Sequence, residues 1–221
     1  IVALVAILIL ALGLRMYRIS EFMTFLGDEG RDVRIVRDLI TQGNLVFIGP
    51  QTSIGNMYLG PLYYYLIAPF LALSGLNPVG PAIFNALLGT ATVGLIWFVA
   101  KKWFGTTAAT IASLLYALSP VAIIYSRSSW NPNPMPFFAL LTIYGISEVW
   151  QNKKFIWLPW IGVSFAFALQ MHYLGLLLIP VIGLFLLLTF IKIKNDSKQK
   201  NTFLRFCVFA VVFIGKNEWG V

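Results

Sequence analysis

Charged residues are scarce in this chain of 221 residues: they make up 11%, whereas hydrophobic residues make up 59%, and the mean hydropathy is +0.82. A water-soluble domain usually carries about 25% charged residues, so the composition excludes a soluble globule. It also excludes intrinsic disorder, which requires low hydrophobicity. The apolar runs are continuous rather than alternating, which argues against a porin-like barrel. The composition therefore predicts an integral membrane protein with several helical spans.

Cysteine and histidine each occur once, as Cys207 and His172. A single cysteine excludes a disulfide framework and a cysteine metal cluster. The sequence also contains no GxxxxGK[ST], GxSxG or HExxH motif, so neither nucleotide hydrolysis nor the serine and zinc hydrolase chemistries are expected. We predict no cofactor, and the sequence leaves a divalent metal open without indicating one.

The apolar runs predict an all-α fold, a polytopic transmembrane helix bundle whose long first outer loop, residues 18–81, carries juxtamembrane amphipathic helices. The predicted spans lie at about 1–17, 82–100, 106–125, 135–150, 155–171, 173–191 and 203–215. The first and last runs are shorter than a full crossing. We interpret the chain, residues 1–221, as the N-terminal portion of a longer transmembrane domain whose C-terminal part is absent.

The lysines indicate the orientation of these spans, because they recur in loops that are two spans apart. They are Lys101, Lys102, Lys153, Lys154, Lys192, Lys194, Lys198 and Lys200. The positive-inside rule places this face in the cytoplasm of a multi-pass protein of the cell membrane. The net charge of +8 then reflects basic loops rather than a surface for nucleic acid, which is not a predicted partner. The outer face holds residues 126–134 and 172–173.

The side on which residues 18–81 lie depends on the apolar segment 58–74. If this segment spans the bilayer, the loop joins the lysine face, as counting Lys and Arg favours. If it lies in the interface, the loop faces outward. Pro61, Pro69 and three consecutive tyrosines favour the interface. The residues alone leave both arrangements open.

Five of the eight acidic residues fall between positions 21 and 38. Among them Asp28 and Glu29 precede an amphipathic helix predicted over Gly30–Gln42, where the helix dipole stabilises carboxylates. The pair either caps this helix and forms ion pairs with Arg31 and Arg34, or provides a general base at the membrane surface.

The outer face carries few polar candidates. Arg127, the only charged residue in 103–147, is either an interfacial anchor or a guanidinium that clamps a phosphate. Asn131 and Asn133 lie in a proline-rich turn that either starts the next helix or binds sugar hydroxyls. His172 is either a hydrogen-bonded interface residue or part of a site.

Four segments follow one another in a characteristic order. They are Gly27-Asp28-Glu29, Gly60-Pro61-Leu62-Tyr63-Tyr64-Tyr65-Leu66, Ala100-Lys101-Lys102-Trp103-Phe104-Gly105, and Ser119-Pro120 with Tyr125-Ser126-Arg127. In this order they resemble the C-type glycosyltransferase superfamily, specifically the branch of protein O-mannosyltransferases and aminoarabinose lipid A transferases. The last three are similar to its "PPLYYWL", "AxRLFG" and "SPxxxxYSR" segments.

The resemblance implies an inverting membrane glycosyltransferase that moves a sugar from a polyprenyl-phosphate carrier to an acceptor hydroxyl on a protein, lipid or glycan. It implies that residues 18–81 face outward, and that Asp28, with Glu29 beside it, is the catalytic base. The residues it implies for binding the substrate or the carrier phosphate are Arg31, Arg127, Asn131, Asn133, His172 and Tyr173. His172 stands where many relatives carry lysine.

A transporter or flippase that moves a lipid-linked sugar without chemistry is the main alternative. Such a protein usually carries charged residues inside its spans. The predicted spans contain almost none, which favours the enzyme.

Overall fold

The structure, a computed structural model, describes residues 2–215 of the chain and the side chains of residues 2–208. Residue 1, part of the first predicted span, and residues 216–221 lie outside the described residues. The helices are α1 (Val2–Met16), α2 (Ile19–Phe22), α3 (Gly27–Gln42), α4 (Leu62–Leu73), α5 (Val79–Phe104), α6 (Thr106–Leu118), α7 (Pro120–Ser126), α8 (Met135–Asn152), α9 (Trp157–Met171), α10 (Leu178–Ile193) and α11 (Ser197–Gly215), with a 3₁₀ turn at Tyr173–Leu177. The described part contains no β-strand, only one isolated bridge between Gln51 and Tyr58, which confirms the predicted all-α class.

Two helical segments are long and apolar enough to cross a membrane: α5, and the 3₁₀ turn continued by α10. A third crossing results if α6 and α7, which meet at a bend of 60°, form one broken span. The apolar helices α1, α4 and α9 are shorter. The structure thus has the helices of a polytopic membrane protein, and the other predicted spans stay predictions.

Helix α4 contains 12 residues. At 1.5 Å per residue it extends about 18 Å, whereas the hydrocarbon core of a bilayer is about 30 Å thick. A helix of this length does not cross alone. Its length favours the juxtamembrane interpretation of residues 58–74.

The chain forms two compact units. The first comprises the chain up to Phe137 together with Gln170–His172, and the second comprises Phe138–Leu169 and the chain from Tyr173 onward. In the second unit, an apolar core links α8, α9, α10 and α11, with Val149, Leu158, Ile193 and Phe203 among its buried residues. The polar candidates discussed below, apart from Tyr173, belong to the first unit.

In the first unit α5 packs against α1, α4 and α6. Small side chains permit close approach of these helices: Ala86, Ala109 and Ser113 are fully buried. Ile7 and Ala11 of α1 pack with Val93 of α5 in a separate apolar cluster. This packing fixes the C-terminal end of α1 beside α5 and α6.

Arg15 of α1, which is fully buried, forms hydrogen bonds to the break between α6 and α7. Pro120 has no N–H, so it cannot pair with the Tyr116 carbonyl as an amide four residues on normally would. Arg15 donates from Nη2 to this carbonyl (3.5 Å), from Nη1 to the Ala117 carbonyl (3.3 Å), and from Nε to the Ser126 hydroxyl (3.2 Å). One guanidinium thus supplies donors at the break and holds the start of the turn that carries Arg127.

Candidate functional site

Helix α3 carries the acidic residues of the first loop. It begins at Gly27, three residues before the predicted start, and ends at Gly43, whose φ of 72° is the left-handed conformation that glycine adopts readily. Asp28 and Glu29 therefore lie in its first turn, where the helix dipole favours negative charge.

Glu29 is buried, with 4% of its surface exposed. Its Oε2 accepts a hydrogen bond from the backbone N–H of Leu26 (3.0 Å), and its Oε1 accepts one from the hydroxyl of Ser128 (2.6 Å). Both carboxylate oxygens are thus occupied by donors. Glu29 fixes the start of α3 to the segment that follows α7.

Asp28, the neighbouring residue, faces the solvent: its side chain is 53% exposed. Its Oδ1 accepts a hydrogen bond from Nη1 of Arg31 at 2.9 Å. Asp28 is accordingly a carboxylate that an incoming hydroxyl can approach, held on one side by a guanidinium.

Asp32, which sequence reasoning did not select, lies on the same side of α3 and is 1% exposed. Its Oδ1 accepts hydrogen bonds from Nε (2.9 Å) and Nη2 (2.8 Å) of Arg31. Its Oδ2 is buried and has no hydrogen-bond partner among the described residues. Burial raises the pKa of Asp32 to about 6, against the lowering effect of Arg31. The spacing of four residues from Asp28, one helical turn, was the signal available in the sequence.

Arg127 follows α7 directly. Its Nη2 donates to the carbonyl of Leu14, and the guanidinium carbon lies 5.4 Å from the ring centroid of Phe22. Its Nε is buried without a hydrogen-bond partner, and no carboxylate pairs with it in the part of the chain that the structure describes. Arg127 is thus a cation without a carboxylate partner among the described residues, and its role in phosphate binding stays a prediction.

The turn after α7 is held by amide side chains. Asn133 and Asn85 both donate to the carbonyl of Ser128, at 2.9 and 2.8 Å, and Asn131 donates to the carbonyl of Met171 at 2.8 Å. The hydroxyl of Tyr63 donates to the carbonyl of Ser129. Both predicted asparagines therefore have a structural contact, and their role in sugar binding stays a prediction.

His172 is half-buried in the first unit, and burial lowers the pKa of its imidazole, which favours the neutral ring. Tyr173 belongs to the second unit, as the first residue of its second segment. The structure brings Asp28, Glu29 and Arg31 together on α3 and attaches that helix to the turn between Arg127 and Asn131. Besides Asp32, sequence reasoning missed Ser128, since one serine in an outer turn carries no distinguishing signal.

Comparison with known proteins identifies a family that this chain matches. The family model for dolichyl-phosphate-mannose-protein mannosyltransferase matches residues 59–216, so Asp28 and Glu29 precede the matched range. "Putative mannosyltransferase YkcB" of Bacillus subtilis (strain 168) is 28% identical over 163 residues, covering 72% of this chain and 22% of that protein. "Putative mannosyltransferase YycA" of the same organism is 28% identical over 132 residues, covering 58% and 19%.

An uncharacterized protein of Aquifex aeolicus (strain VF5) is 30% identical over 109 residues, covering 48% of this chain and 22% of that protein. The chain thus spans about a fifth of the length of the curated relatives it matches. The family match covers more than half of the chain and confirms the resemblance found in the sequence. The chain belongs to the dolichyl-phosphate-mannose-protein mannosyltransferase family.

Proposed function

We propose that the protein is a membrane mannosyltransferase that moves the sugar from a polyprenyl-phosphate carrier to an acceptor hydroxyl at the outer face of the cell membrane. One observation carries this proposal. The solvent-facing carboxylate of Asp28 lies on a helix that Glu29 attaches to Ser128, the residue next to Arg127. A candidate base and a candidate phosphate ligand are therefore positioned by one hydrogen-bonded framework.

The chemistry follows from the properties of these groups. Asp28 takes the proton of the acceptor hydroxyl as its oxygen attacks the anomeric carbon of the sugar. The bond between that carbon and the phosphate oxygen breaks on the opposite side, so the configuration inverts. The polyprenyl phosphate leaves with the electron pair, and Arg127 stabilises its charge.

The names of the relatives and of the family support mannose as the sugar and a polyprenyl phosphate as its carrier. Two of them are named as mannosyltransferases, and the family description specifies dolichyl-phosphate-mannose. A dolichyl phosphate is a polyprenyl-type phosphate, and the guanidinium of Arg127 suits such an anion. Arg31, Asn131, Asn133, His172 and Tyr173 are the further proposed substrate contacts.

The test is donor consumption by the purified full-length protein in liposomes. Asp28→Asn removes the base, so we expect transfer from radiolabelled polyprenyl-phosphate mannose to fall by about 10²–10⁴-fold. Total label leaving the carrier is measured, which does not require the acceptor to be known.

Asp38→Asn is the matched control, because it removes the same charge from the same helix and should leave the rate unchanged. Retained turnover in a folded Asp28→Asn variant would exclude Asp28 as base. A wild-type protein that moves the carrier across the liposome bilayer without releasing mannose would be a transporter instead.

A further inference from the structure

Arg31 lies between two carboxylates that differ in exposure. Nη1 contacts Oδ1 of Asp28 at 2.9 Å, while Nε and Nη2 both contact Oδ1 of Asp32, at 2.9 and 2.8 Å. Asp28 is exposed and Asp32 is buried. The buried carboxylate of Asp32 therefore fixes the plane of the Arg31 guanidinium, which the exposed carboxylate of Asp28 also contacts.

The contact with Asp28 alone is a weak constraint. An exposed ion pair three residues apart on a helix competes with water and with the many rotamers of arginine. Asp32 accepts two of the donors from the planar fork, and its own position is fixed because it is packed between α3 and α4. Asp32 therefore adds a buried contact with two donors to the exposed contact with Asp28.

The charged and titratable groups around Asp32 are known on both helices. On α3 they are Arg31, Asp28 and Glu29, and on α4 they are Tyr63 and Tyr64. Burial, together with the charge of Asp32, raises the pKa of Tyr64 to about 12, so this phenol stays protonated. Within this cluster, Arg31 is thus the cation that pairs with both Asp28 and Asp32.

We propose that Asp32 is a positioning residue of the transfer reaction: its ionised carboxylate holds Arg31 so that Nη1 is directed at Asp28, and protonation of Asp32 releases Arg31. This inference rests on the proposed role of Asp28 as base. Asp32 does not touch the substrate. It acts through Arg31, which fixes the base in the orientation that receives the proton.

The direction of the pH effect follows from burial. Because the pKa of Asp32 in the folded protein is about 6, above the ordinary value, its carboxylate is ionised at pH 7.5 and largely protonated at pH 5. The ion pair between Asp32 and Arg31 is therefore present above pH 6 and lost below it.

The contribution of Asp32 to folding stability depends on pH in the opposite direction. It is greatest when Asp32 is protonated and is lost as pH rises through 6. An Asp32→Asn variant is accordingly expected to fold.

The activity test uses the full-length protein and compares Asp32→Asn with Asp38→Asn on the same helix between pH 5 and 8. At pH 7.5 we expect Asp32→Asn to lower kcat by about 10–100-fold, as a misdirected catalytic group does. The ratio of wild-type to variant rate should approach one at pH 5.

A second measurement is independent of turnover. Phenylglyoxal labels arginine, and labelling of Arg31 at pH 8 is compared with that of the exposed Arg34 by peptide mass spectrometry. We expect Arg31 to react at least about threefold faster in Asp32→Asn than in the wild type, because Nε and Nη2 lose their charge-assisted partner, while Arg34 is unchanged. If the wild type shows no transfer, the proposed function fails, and this measurement still tests Asp32.

A rate ratio that is constant with pH, or an unchanged labelling rate at Arg31, overturns the proposal. Arg31→Lys provides a second variant, since it keeps the charge but not the fork that meets both carboxylates. It should show the same pH-dependent loss of kcat. A Lys variant with the wild-type rate and profile contradicts the role of Asp32 just as directly.

Discussion

At the scale of single residues, the two adjacent carboxylates of the first loop have different environments. Asp28 is half-exposed and contacts one arginine, whereas Glu29 is buried and both of its oxygens accept hydrogen bonds. Their i, i+1 spacing points them about 100° apart on the helix. We therefore propose that Asp28 takes the proton and that Glu29 anchors the helix.

Glu29→Gln tests this division. A glutamine amide keeps one acceptor oxygen for Leu26 N–H, and its Nε2 can donate to the Ser128 hydroxyl, which then accepts instead of donating. The two hydrogen bonds to a charged carboxylate become neutral ones, which are weaker by about 1 kcal/mol each. We expect a lower unfolding temperature in detergent, measured by intrinsic fluorescence, and reduced turnover as a consequence.

Ser128→Ala removes the other partner of the same hydrogen bond and serves as the comparison for Glu29→Gln. The double variant should lose less stability than the sum of the two single losses, because both act on one contact. Additive losses would show that Glu29 and Ser128 stabilise the protein independently.

At the scale of elements, the break between α6 and α7 decides where Arg127 lies. Ser119-Pro120 ends one helix and begins the next, with Ser119 accepting from the Ala122 N–H. Arg15 of α1 donates hydrogen bonds to the carbonyls at the break. It also contacts the Ser126 hydroxyl, which packs so closely on Gly89 of α5 that a β-carbon there would collide with it. One buried arginine therefore connects α1, α6 and α7.

Arg15→Met is expected to destabilise the first unit. Methionine fills much of the space but offers no donor, so the Tyr116 and Ala117 carbonyls lose their partner, at about 1–3 kcal/mol for each buried group left unpaired. The unfolding temperature should fall, as measured by fluorescence-detected size exclusion after heating. Arg18→Met is the matched control, because Arg18 is exposed and its ion pair with Glu21 is exposed as well. An equal loss in both variants would refute the role of the break.

At the scale of the whole molecule, the proposed function depends on which side of the bilayer the first loop occupies. The short α4 favours a loop that stays on the side opposite to the lysines. The face predicted to be cytoplasmic includes Lys101, whose Nζ lies 4.6 Å from the ring centroid of Trp97 near the end of α5. The two ends of the first unit are thus expected in different compartments.

Cysteine accessibility measures this arrangement. With Cys207 replaced by alanine, Glu21→Cys should react with an impermeant maleimide in intact cells, and Lys101→Cys should react only after permeabilisation. Reaction of both positions from the same side would defeat the outward orientation of residues 18–81. It would leave the contacts within α3 unaffected.

Sequence alone determined the class of the protein, because a bilayer requires long apolar helices and these are visible as hydrophobic runs. It also determined the existence of α3, whose amphipathic period and terminal glycine are local signals. The order of the motifs indicated the family. Tertiary structure decided what each polar residue does: Glu29 is anchored by Ser128, 99 positions away, and Arg15 reaches carbonyls 101 and 102 positions away. Such pairs depend on how helices pack, and no local periodicity encodes a contact between two segments that meet only in the folded chain.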